Sequence, residues 1–221
     1  MKNVKIMLAY IMAVSMIFGM LTVVSAGEEP DGTYTIAEFN NQDIITEWGL
    51  TPDDEIHSLY DMSAKWVCAD TGATTYMRAE NGKVPSDWSG YGYLNLWIHA
   101  PEVYNAKINV LVYTTEKNAS NVQKYHRYYL KVDWTGWKQV SIPLSLFEFA
   151  NKDSGETNAT WTAPIEFFGL NVSGWPDPKY EDYTKMVLNM DKVWLSAEKP
   201  QAPETPDTLM LADFSDPVQT Q

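Results

Sequence analysis

Cysteine is nearly missing from this sequence, since Cys68 is the only one among 221 residues. A single cysteine excludes an internal disulfide, so the core must be held together by packing alone. Cys68 lies in the apolar run Trp66-Val67-Cys68-Ala69, which is typical of a strand. We therefore interpret it as a buried and inert thiol.

Basic side chains are also scarce. The sequence has 16 Lys and Arg against 29 Asp and Glu, which gives a formal net charge of −13. This acidic balance argues against nucleic acid and anionic membranes as partners, and it disfavours sulfated or uronic-acid glycans.

Charged residues make up only 20% of the chain and hydrophobic residues 45%. The composition therefore predicts a folded domain of ordinary size with a sizeable core.

The common sequence motifs of catalysis are missing too. The chain has no G-x-S-x-G elbow, no H-E-x-x-H pair, no phosphate-binding P-loop and no dinucleotide fingerprint. Its three histidines, His57, His99 and His126, are scattered without the spacing of a zinc site. We interpret them as surface residues or as hydrogen-bonded strand residues.

Long hydrophobic runs are confined to the N-terminus. Two lysines there precede an apolar run from Ile6 to about Val24, and small residues follow up to Ala26. This order predicts a secretory signal peptide over residues 1–26, with the mature chain beginning at Gly27. An uncleaved membrane anchor is the alternative, because the run is nearly long enough to span a bilayer. Cleavage would remove two lysines and no acids, leaving a net charge of −15. It would give a secreted protein, extracellular or at the cell surface, with no membrane contact.

After the signal peptide the pattern changes to short alternating apolar segments separated by Gly, Pro, Asn and Asp. Such segments are typical of strands, and they do not alternate with helical patterns as a parallel sheet would require. The sequence therefore predicts an all-β fold over 27–198, a two-sheet antiparallel β-sandwich of the jelly-roll type. The predicted strands lie near 33–39, 65–69, 73–80, 91–100, 106–115, 122–133, 137–143, 166–172 and 187–196.

One short helix is predicted over about 52–60. The segment Thr51-Pro52-Asp53-Asp54-Glu55 offers a capping hydroxyl, a proline at the first helical position and acids in the first turn. A loop is the alternative interpretation of this segment.

The end of the sequence predicts a linker and the beginning of a second domain. Residues 199–207 hold three prolines in nine positions, which is typical of a semi-rigid extracellular linker. Within 208–221, the segment 209–216 repeats the opening strand at 34–41, with Ala, an acid and Phe in register. The repeat indicates a truncated second copy of the module, and hence further domains of the same polypeptide. A chance similarity over eight residues is the alternative.

Three motifs together resemble a known family. They are Asp87-Trp88-Ser89-Gly90-Tyr91 leading into Leu94-Asn95-Leu96-Trp97-Ile98, then Asp133-Trp134-Thr135-Gly136-Trp137-Lys138-Gln139-Val140-Ser141-Ile142-Pro143-Leu144, and last Leu188-Asn189-Met190-Asp191-Lys192-Val193-Trp194-Leu195. Through them, residues 33–196 are similar to the galactose-binding-like β-jelly-roll carbohydrate-binding modules found beside the catalytic domains of bacterial polysaccharide lyases and glycoside hydrolases. The resemblance implies non-catalytic binding of a polysaccharide or oligosaccharide, which targets a larger protein or enzyme.

Alternation along the predicted strands indicates where a sugar could bind. Leu94, Leu96 and Ile98 can point to the core while Trp97 points away from it, and the neighbouring strands divide in the same way. Sugars have apolar C–H faces rimmed by hydroxyl groups, so one sheet face with rings and a few polar groups could bind them. The alternative is that these rings are ordinary cross-strand pairs. The candidate residues are Trp97, Tyr113, Tyr125, Arg127, Tyr129 and Asn171, with Trp175 in a loop at the edge.

The resemblance also implies a structural calcium ion, because modules of this type often hold one where the first and last strands meet. Calcium needs several oxygen ligands from carboxylates and backbone carbonyls. The candidate ligands are Glu38 and Asp191, and a solvated surface acid is the alternative for each. The opening strand departs from the family's usual acid-acid-Phe-Glu pattern, since it reads Ala37-Glu38-Phe39-Asn40.

Two other functions stay open at this point. The chain could be a structural or adhesive spacer domain of a bacterial surface protein. Less favoured is a catalytic jelly roll that degrades glycans, because such an enzyme needs two carboxylates placed in its cleft. The strands that carry the candidate residues supply almost none.

Overall fold

The computed structural model describes residues 27–28, 32–68, 74–78, 82–104, 106–157, 161, 164–172 and 186–201. The predicted signal peptide at 1–26, the predicted second copy at 208–221 and Trp175 lie outside the described residues. Of the predicted linker, only 199–201 is described. No helix among the described residues is long and apolar enough to cross a membrane.

The described chain consists mainly of strands with one short helix. The helix α1 spans Gln42–Glu47, and a 3-10 turn spans Leu144–Leu146. In chain order the strands are β1 (Gly27–Glu28), β2 (Tyr34–Glu38), β3 (Thr51–Asp53), β4 (Ser63–Cys68), β5 (Thr74–Arg78), β6 (Tyr93–Ala100), β7 (Ala106–Lys117), β8 (Gln123–Val132), β9 (Gly136–Pro143), β10 (Glu148–Ala150), β11 (Ile165–Asn171) and β12 (Met186–Ser196).

The strands form two antiparallel sheets. In the first sheet β12 is central, with β6 and then β9 on one side. On its other side β2 pairs with the C-terminal half of β12 and β4 with the N-terminal half, while β1 and β3 lie outside β2 and β4. The second sheet has the order β10-β8-β7-β11-β5. The predicted two-sheet antiparallel sandwich is therefore confirmed, and each of the nine predicted strands is present; the short strands β1, β3 and β10 were not predicted.

The core lies between the two sheets and follows the predicted alternation. Leu94, Leu96 and Ile98 on β6 are fully buried, as are Val110 and Val112 on β7. Burial of side chains of this size stabilises the fold by roughly 1.5–3 kcal/mol each. Cys68 is also buried as predicted, and desolvation raises the pKa of its thiol to about 12, so the thiol stays protonated and inert.

The helix predicted over 52–60 is wrong. Residues 51–53 form strand β3, and the next segment is an irregular loop. Its backbone N–H groups are directed to carboxylates instead of to carbonyls within a helix: Asp53 Oδ1 accepts from Glu55 and Ile56 at 3.0 and 3.1 Å. The acids after Pro52 suit a helix start, but they equally suit this kind of turn.

The helix that does form, α1, begins after Asn41. The Asn41 side-chain oxygen accepts from the backbone N–H of Asp43 at 2.7 Å and of Ile44 at 3.3 Å, which satisfies two N–H groups that the helix itself leaves unpaired. Ile45 is the helix residue that enters the core. At six residues, α1 was too short to show a helical period in the sequence.

The chain leaves the sandwich across the outer side of the first sheet. Gly92 donates its backbone N–H to the Ser196 carbonyl oxygen at 2.9 Å, and a Cβ at Gly92 would lie 2.3 Å from the Ala197 carbonyl oxygen. Only glycine therefore fits this close approach. Gln139 on β9 then donates from Nε2 to the Pro200 carbonyl oxygen at 3.0 Å, so the start of the predicted linker is fixed against this sheet.

Candidate functional site

The outer face of the second sheet brings together five of the candidate residues. Tyr113 on β7 lies directly opposite Tyr125 on β8 and Phe167 on β11. Asn109 lies opposite Tyr129 and Asn171. Residues paired directly across antiparallel strands point to the same side of a sheet. We call this surface the tyrosine face, and it comprises Asn109, Tyr113, Tyr125, Arg127, Tyr129, Phe167 and Asn171.

Three rings of the tyrosine face stack across neighbouring strands. The Tyr113 ring centroid lies 4.8 Å from that of Tyr125 at an interplanar angle of 25°, and 4.2 Å from that of Phe167 at 16°. These spacings match the distance between strands, so the rings stand upright side by side. Both faces of the Tyr113 ring are covered, and it presents its edge and hydroxyl outward. Desolvation, followed by the proximity of Tyr125, raises the pKa of Tyr113, so its hydroxyl remains a hydrogen-bond donor at neutral pH.

Tyr125 has one ring face against Tyr113, and its other side adjoins the edge strand β10. The residue opposite Tyr125 on β10 is Ala150, whose methyl side chain is too small to cover an aromatic ring. The side of Tyr125 that faces β10 is therefore the ring face of this row that no neighbouring aromatic side chain among the described residues covers.

Tyr129, which is 43% exposed, is flanked by cations. The Arg127 guanidinium carbon lies 4.7 Å from its ring centroid, and Lys107 Nζ lies 5.6 Å from it. Arg127 also pairs with Glu148 on β10 at 2.8 Å, and Lys131 pairs with Asp133 at 3.4 Å. These carboxylates balance the cations locally, so the strong acidity of the whole chain does not extend to this face.

Amide groups add fixed polar atoms at one end of the tyrosine face. Asn109 Nδ2 donates to Asn171 Oδ1 at 3.5 Å, so the two side chains orient each other. Asn109 and Phe167 were not among the candidates from the sequence. The signal for Phe167 was present, because an inward Phe168 in an alternating strand places its neighbour outward.

Trp97 does not belong to the tyrosine face, and the prediction that it shares a face with the tyrosines is wrong. It lies on β6 of the first sheet, opposite Gln139 and Lys192. It is only 4% exposed and stacks on Trp137 with ring centroids 6.2 Å apart. Alternation shows that a side chain points away from the core, but it does not show which of the two sheets carries it.

The inner side of β8 holds an aromatic cluster that closes the sandwich. His126 faces inward beside Trp161, with ring centroids 3.9 Å apart, and beside Phe149 at 4.9 Å. It is only 2% exposed, and its Nε2 has no hydrogen-bond partner among the described residues. His126 is therefore not a surface residue, which was one of the two predicted alternatives for it. Desolvation lowers the pKa of His126 to about 4, so the ring is neutral at physiological pH.

The two predicted calcium ligands have different surroundings. Glu38 Oε1 is bound by Lys192 Nζ at 2.9 Å, so a cation already occupies this carboxylate. Asp191 is fully buried, and its Oδ2 accepts from the backbone N–H groups of Ser58 and Leu59 at 2.8 and 2.7 Å. Its Oδ1 has no hydrogen-bond partner in the described part of the chain. Of the two side chains, Asp191 is therefore the one with a carboxylate oxygen that no described group already binds, and the described ranges contain no group of three metal-ligating side chains.

Comparison with known proteins places this architecture among sugar-binding domains. A family model described as a carbohydrate binding domain (family 11) matches residues 45–158, which include β7, β8 and β10 of the second sheet. A search of curated proteins finds no match.

Solved structures to which this chain is similar include three structures of modules from Clostridium thermocellum. The family 11 module of the cellulosomal cellulase Lic26A-Cel5E is 16% identical, with 65% of this chain and 79% of that chain covered and a TM-score of 0.43. A family 11 module in complex with a β-1,3-1,4-mixed-linked tetrasaccharide is also 16% identical, with coverages of 65% and 81% and a TM-score of 0.45. The family 30 module of the cellulase Cel9D-Cel44B is 13% identical, with coverages of 68% and 83% and a TM-score of 0.47.

Proposed function

The chain belongs to family 11 of the carbohydrate-binding domains, and from this premise we propose that it binds a neutral polysaccharide chain along the tyrosine face without cleaving it. The observation that carries the proposal is the row of upright rings across β8, β7 and β11, which ends at Tyr125 above the small residue Ala150. A pyranose ring can stack there with its apolar C–H face, while its hydroxyl groups remain at the rim.

Polar groups beside Tyr125 support the same site. Arg127 follows two residues along the strand and is held by Glu148, so both a donor and an acceptor lie beside the stacking surface. Their mutual pairing fixes the two side chains before a ligand arrives, which reduces the entropy lost on binding. The Tyr113 hydroxyl supplies a further donor and acceptor from the middle of the stack.

The charge balance favours a neutral ligand. Arg127 and Lys131 are each paired with a carboxylate, and the chain as a whole carries −13, so a polyanionic glycan would be repelled at long range without an unpaired cluster of cations to bind it. We expect the affinity of one module to be weak, in about the micromolar to millimolar range, because few rings stack and the sugar must be ordered. Several modules in one polypeptide would compensate by avidity.

Isothermal titration calorimetry of the exported chain against soluble polysaccharides tests this proposal. The panel pairs neutral glycans, among them a β-1,3-1,4-mixed-linked glucan, with polyuronate and sulfated glycans. We expect heat of binding with at least one neutral glycan, no binding of the polyanions and no new reducing ends after prolonged incubation. Binding restricted to polyanions would contradict the ligand class, and release of oligosaccharides would contradict the non-catalytic function.

Export is part of the same proposal, because a soluble polysaccharide would be met outside the cell. We propose that residues 1–26 are removed as a signal peptide and that further domains of the same polypeptide follow the linker at 199–207. The ordered regions of the N-terminal segment and the repeat at 208–221 support this proposal. The mass of the exported protein reports whether the chain begins at Gly27.

We also propose a structural calcium ion at Asp191, supported by the buried and unpartnered Oδ1 at the junction of β2 and β12. Calcium bound only by the folded state stabilises it by about 2.7 kcal/mol at a hundredfold excess over Kd. We therefore expect a higher melting temperature in calcium than in chelator for the wild type, and no difference for Asp191→Asn. Equal melting temperatures of the wild type in both buffers would contradict the proposal.

A further inference from the structure

The hairpin between β7 and β8 carries the tripeptide Asn118-Ala119-Ser120 at its tip. Asn-x-Ser/Thr is the acceptor pattern of N-linked glycosylation, and it is expected in surface loops of exported proteins. The turn is closed by hydrogen bonds between Asn118 and Val122, with the Asn118 N–H donating to the Val122 carbonyl oxygen at 2.9 Å. Asn118 is half-buried and residues 119–122 are all exposed, Val122 by 46%, so a large enzyme can reach this tip.

The Asn118 side chain is held in a single orientation. Its Oδ1 accepts from the backbone N–H of Ser120 at 3.0 Å and of Val122 at 2.9 Å. The chain therefore curls around the amide, which brings residue 120 next to it, while Nδ2 makes no hydrogen bond to any described residue. Both oxygen lone pairs are used by the turn, and the nitrogen is left available. We propose that Asn118 is a site of N-glycosylation in the exported protein.

The donor of the sugar in this modification is an oligosaccharide linked to a lipid diphosphate. The bond between the sugar's anomeric carbon and the diphosphate oxygen breaks, and a bond from that carbon to Asn118 Nδ2 forms. The diphosphate leaves with the electron pair, and one Nδ2 proton passes to a base of the transferase. No oxidant or reductant is needed.

The structure separates Asn118 from the other places where the pattern occurs. Asn171 begins Asn171-Val172-Ser173, but it is the last residue of β11, paired with β7 on one side and β5 on the other, and its Oδ1 already accepts from Asn109. An enzyme cannot approach an amide inside a sheet as it can approach a hairpin tip. The tripeptide at 158–160 lies outside the described residues. We therefore expect Asn171 to remain unmodified.

Ser120 offers a matched pair of variants for the test. Its hydroxyl makes no hydrogen bond to another described residue, and its backbone N–H is the group that takes part in the turn. Ser120→Ala removes the acceptor pattern and Ser120→Thr keeps it, while neither changes the backbone bonds. Unchanged melting temperatures of both variants establish that the fold is intact.

The experiment is peptide mapping by mass spectrometry of the full chain exported by the organism that produces it. We expect the peptide containing Asn118 to carry an oligosaccharide in the wild type and in Ser120→Thr, and to lose it completely in Ser120→Ala. A wild-type Asn118 peptide found only in its unmodified form would overturn the proposal. So would a sugar that stays on Asn118 in Ser120→Ala. Neither result depends on whether the tyrosine face binds a polysaccharide.

Discussion

Tyr125→Ala is expected to weaken the binding of a neutral polysaccharide about tenfold or more, the equivalent of about 1.4 kcal/mol, and to leave the fold intact. The ring of Tyr125 stands at the end of the stack, on the outside of the second sheet, above Ala150. Its removal therefore takes away the stacking surface without opening the core. Calorimetry with the best neutral glycan, followed by thermal melting of the same protein, measures both effects.

Trp97→Ala is the matched control, because it also removes an aromatic ring from an outward-pointing strand position. Trp97 is 4% exposed and packs on Trp137 of the neighbouring strand β9, within the first sheet, so its loss should cost roughly 3–5 kcal/mol of unfolding free energy. Measured on the fraction that remains folded, its polysaccharide affinity should equal that of the wild type. If Trp97→Ala abolished binding while Tyr125→Ala did not, the site would lie on the first sheet.

Ala150→Leu tests the geometry more narrowly. A leucine opposite Tyr125 on β10 would cover the ring face that we assign to the sugar, while all aromatic residues stay in place. The substitution is at a partly exposed edge-strand position, so the fold should tolerate it. We expect it to weaken binding as Tyr125→Ala does; unchanged affinity would move the sugar to another part of the tyrosine face.

The sequence predicted the strands well, because the inward and outward positions differ in chemistry along each strand. On β7, Ile108 and Val110 face the core and Asn109 lies on the outer side of the sheet, as the alternation predicts, although Asn109 is only 8% exposed. The sequence could not predict which sheet each strand joins. β6 and β7 are consecutive, yet they belong to different sheets, so Trp97 and Tyr113 both point away from the core and in opposite directions.

Local irregularities of the strands also could not be predicted from the sequence. In β12 the register shifts between Met190 and Lys192, and the alternation changes phase at the buried Asp191: Leu188 and Met190 face the core before it, and Val193 and Leu195 after it. A shift of this kind depends on hydrogen bonds to β2, β6 and the loop at Ser58, and a single strand sequence contains no sign of those partners. The turn around Asp53, which is present where the sequence predicted a helix, likewise could not be predicted from the sequence alone.

His126 shows how a residue can be placed correctly and still be misread. Alternation put it on the opposite side of β8 from Arg127, and the structure confirms that placement. The inner side there is closed by Trp161 and Phe149, which come from later segments of the chain. The histidine is therefore desolvated, and this makes the stability of the fold depend on pH.

The pKa of His126 is about 4 in the folded protein, against an ordinary value of 6.5 that we take for the unfolded chain. Above pH 6.5 the ring is neutral in both states, so the full stability is present. As the pH falls from about 6.5 to about 4, the unfolded state takes up the proton first, and the free energy of unfolding falls by roughly 3 kcal/mol before levelling off.

His126→Phe should remove most of this acid sensitivity, because a phenyl ring can keep the contacts with Trp161 and Phe149 but cannot take up a proton. Denaturant unfolding of both proteins at about pH 7, 5.5 and 4 measures the difference. Asp153 and Glu156 also lose stabilising interactions in acid. The pKa of Asp153 is lowered first by the backbone N–H of Ala119 and then by Lys124, and the pKa of Glu156 first by Lys124, which lies on β8 with His126. They are present in both proteins and cancel in the comparison. If the two unfolding free energies fell in parallel between pH 6.5 and 4, the desolvated histidine would not be the cause of acid sensitivity.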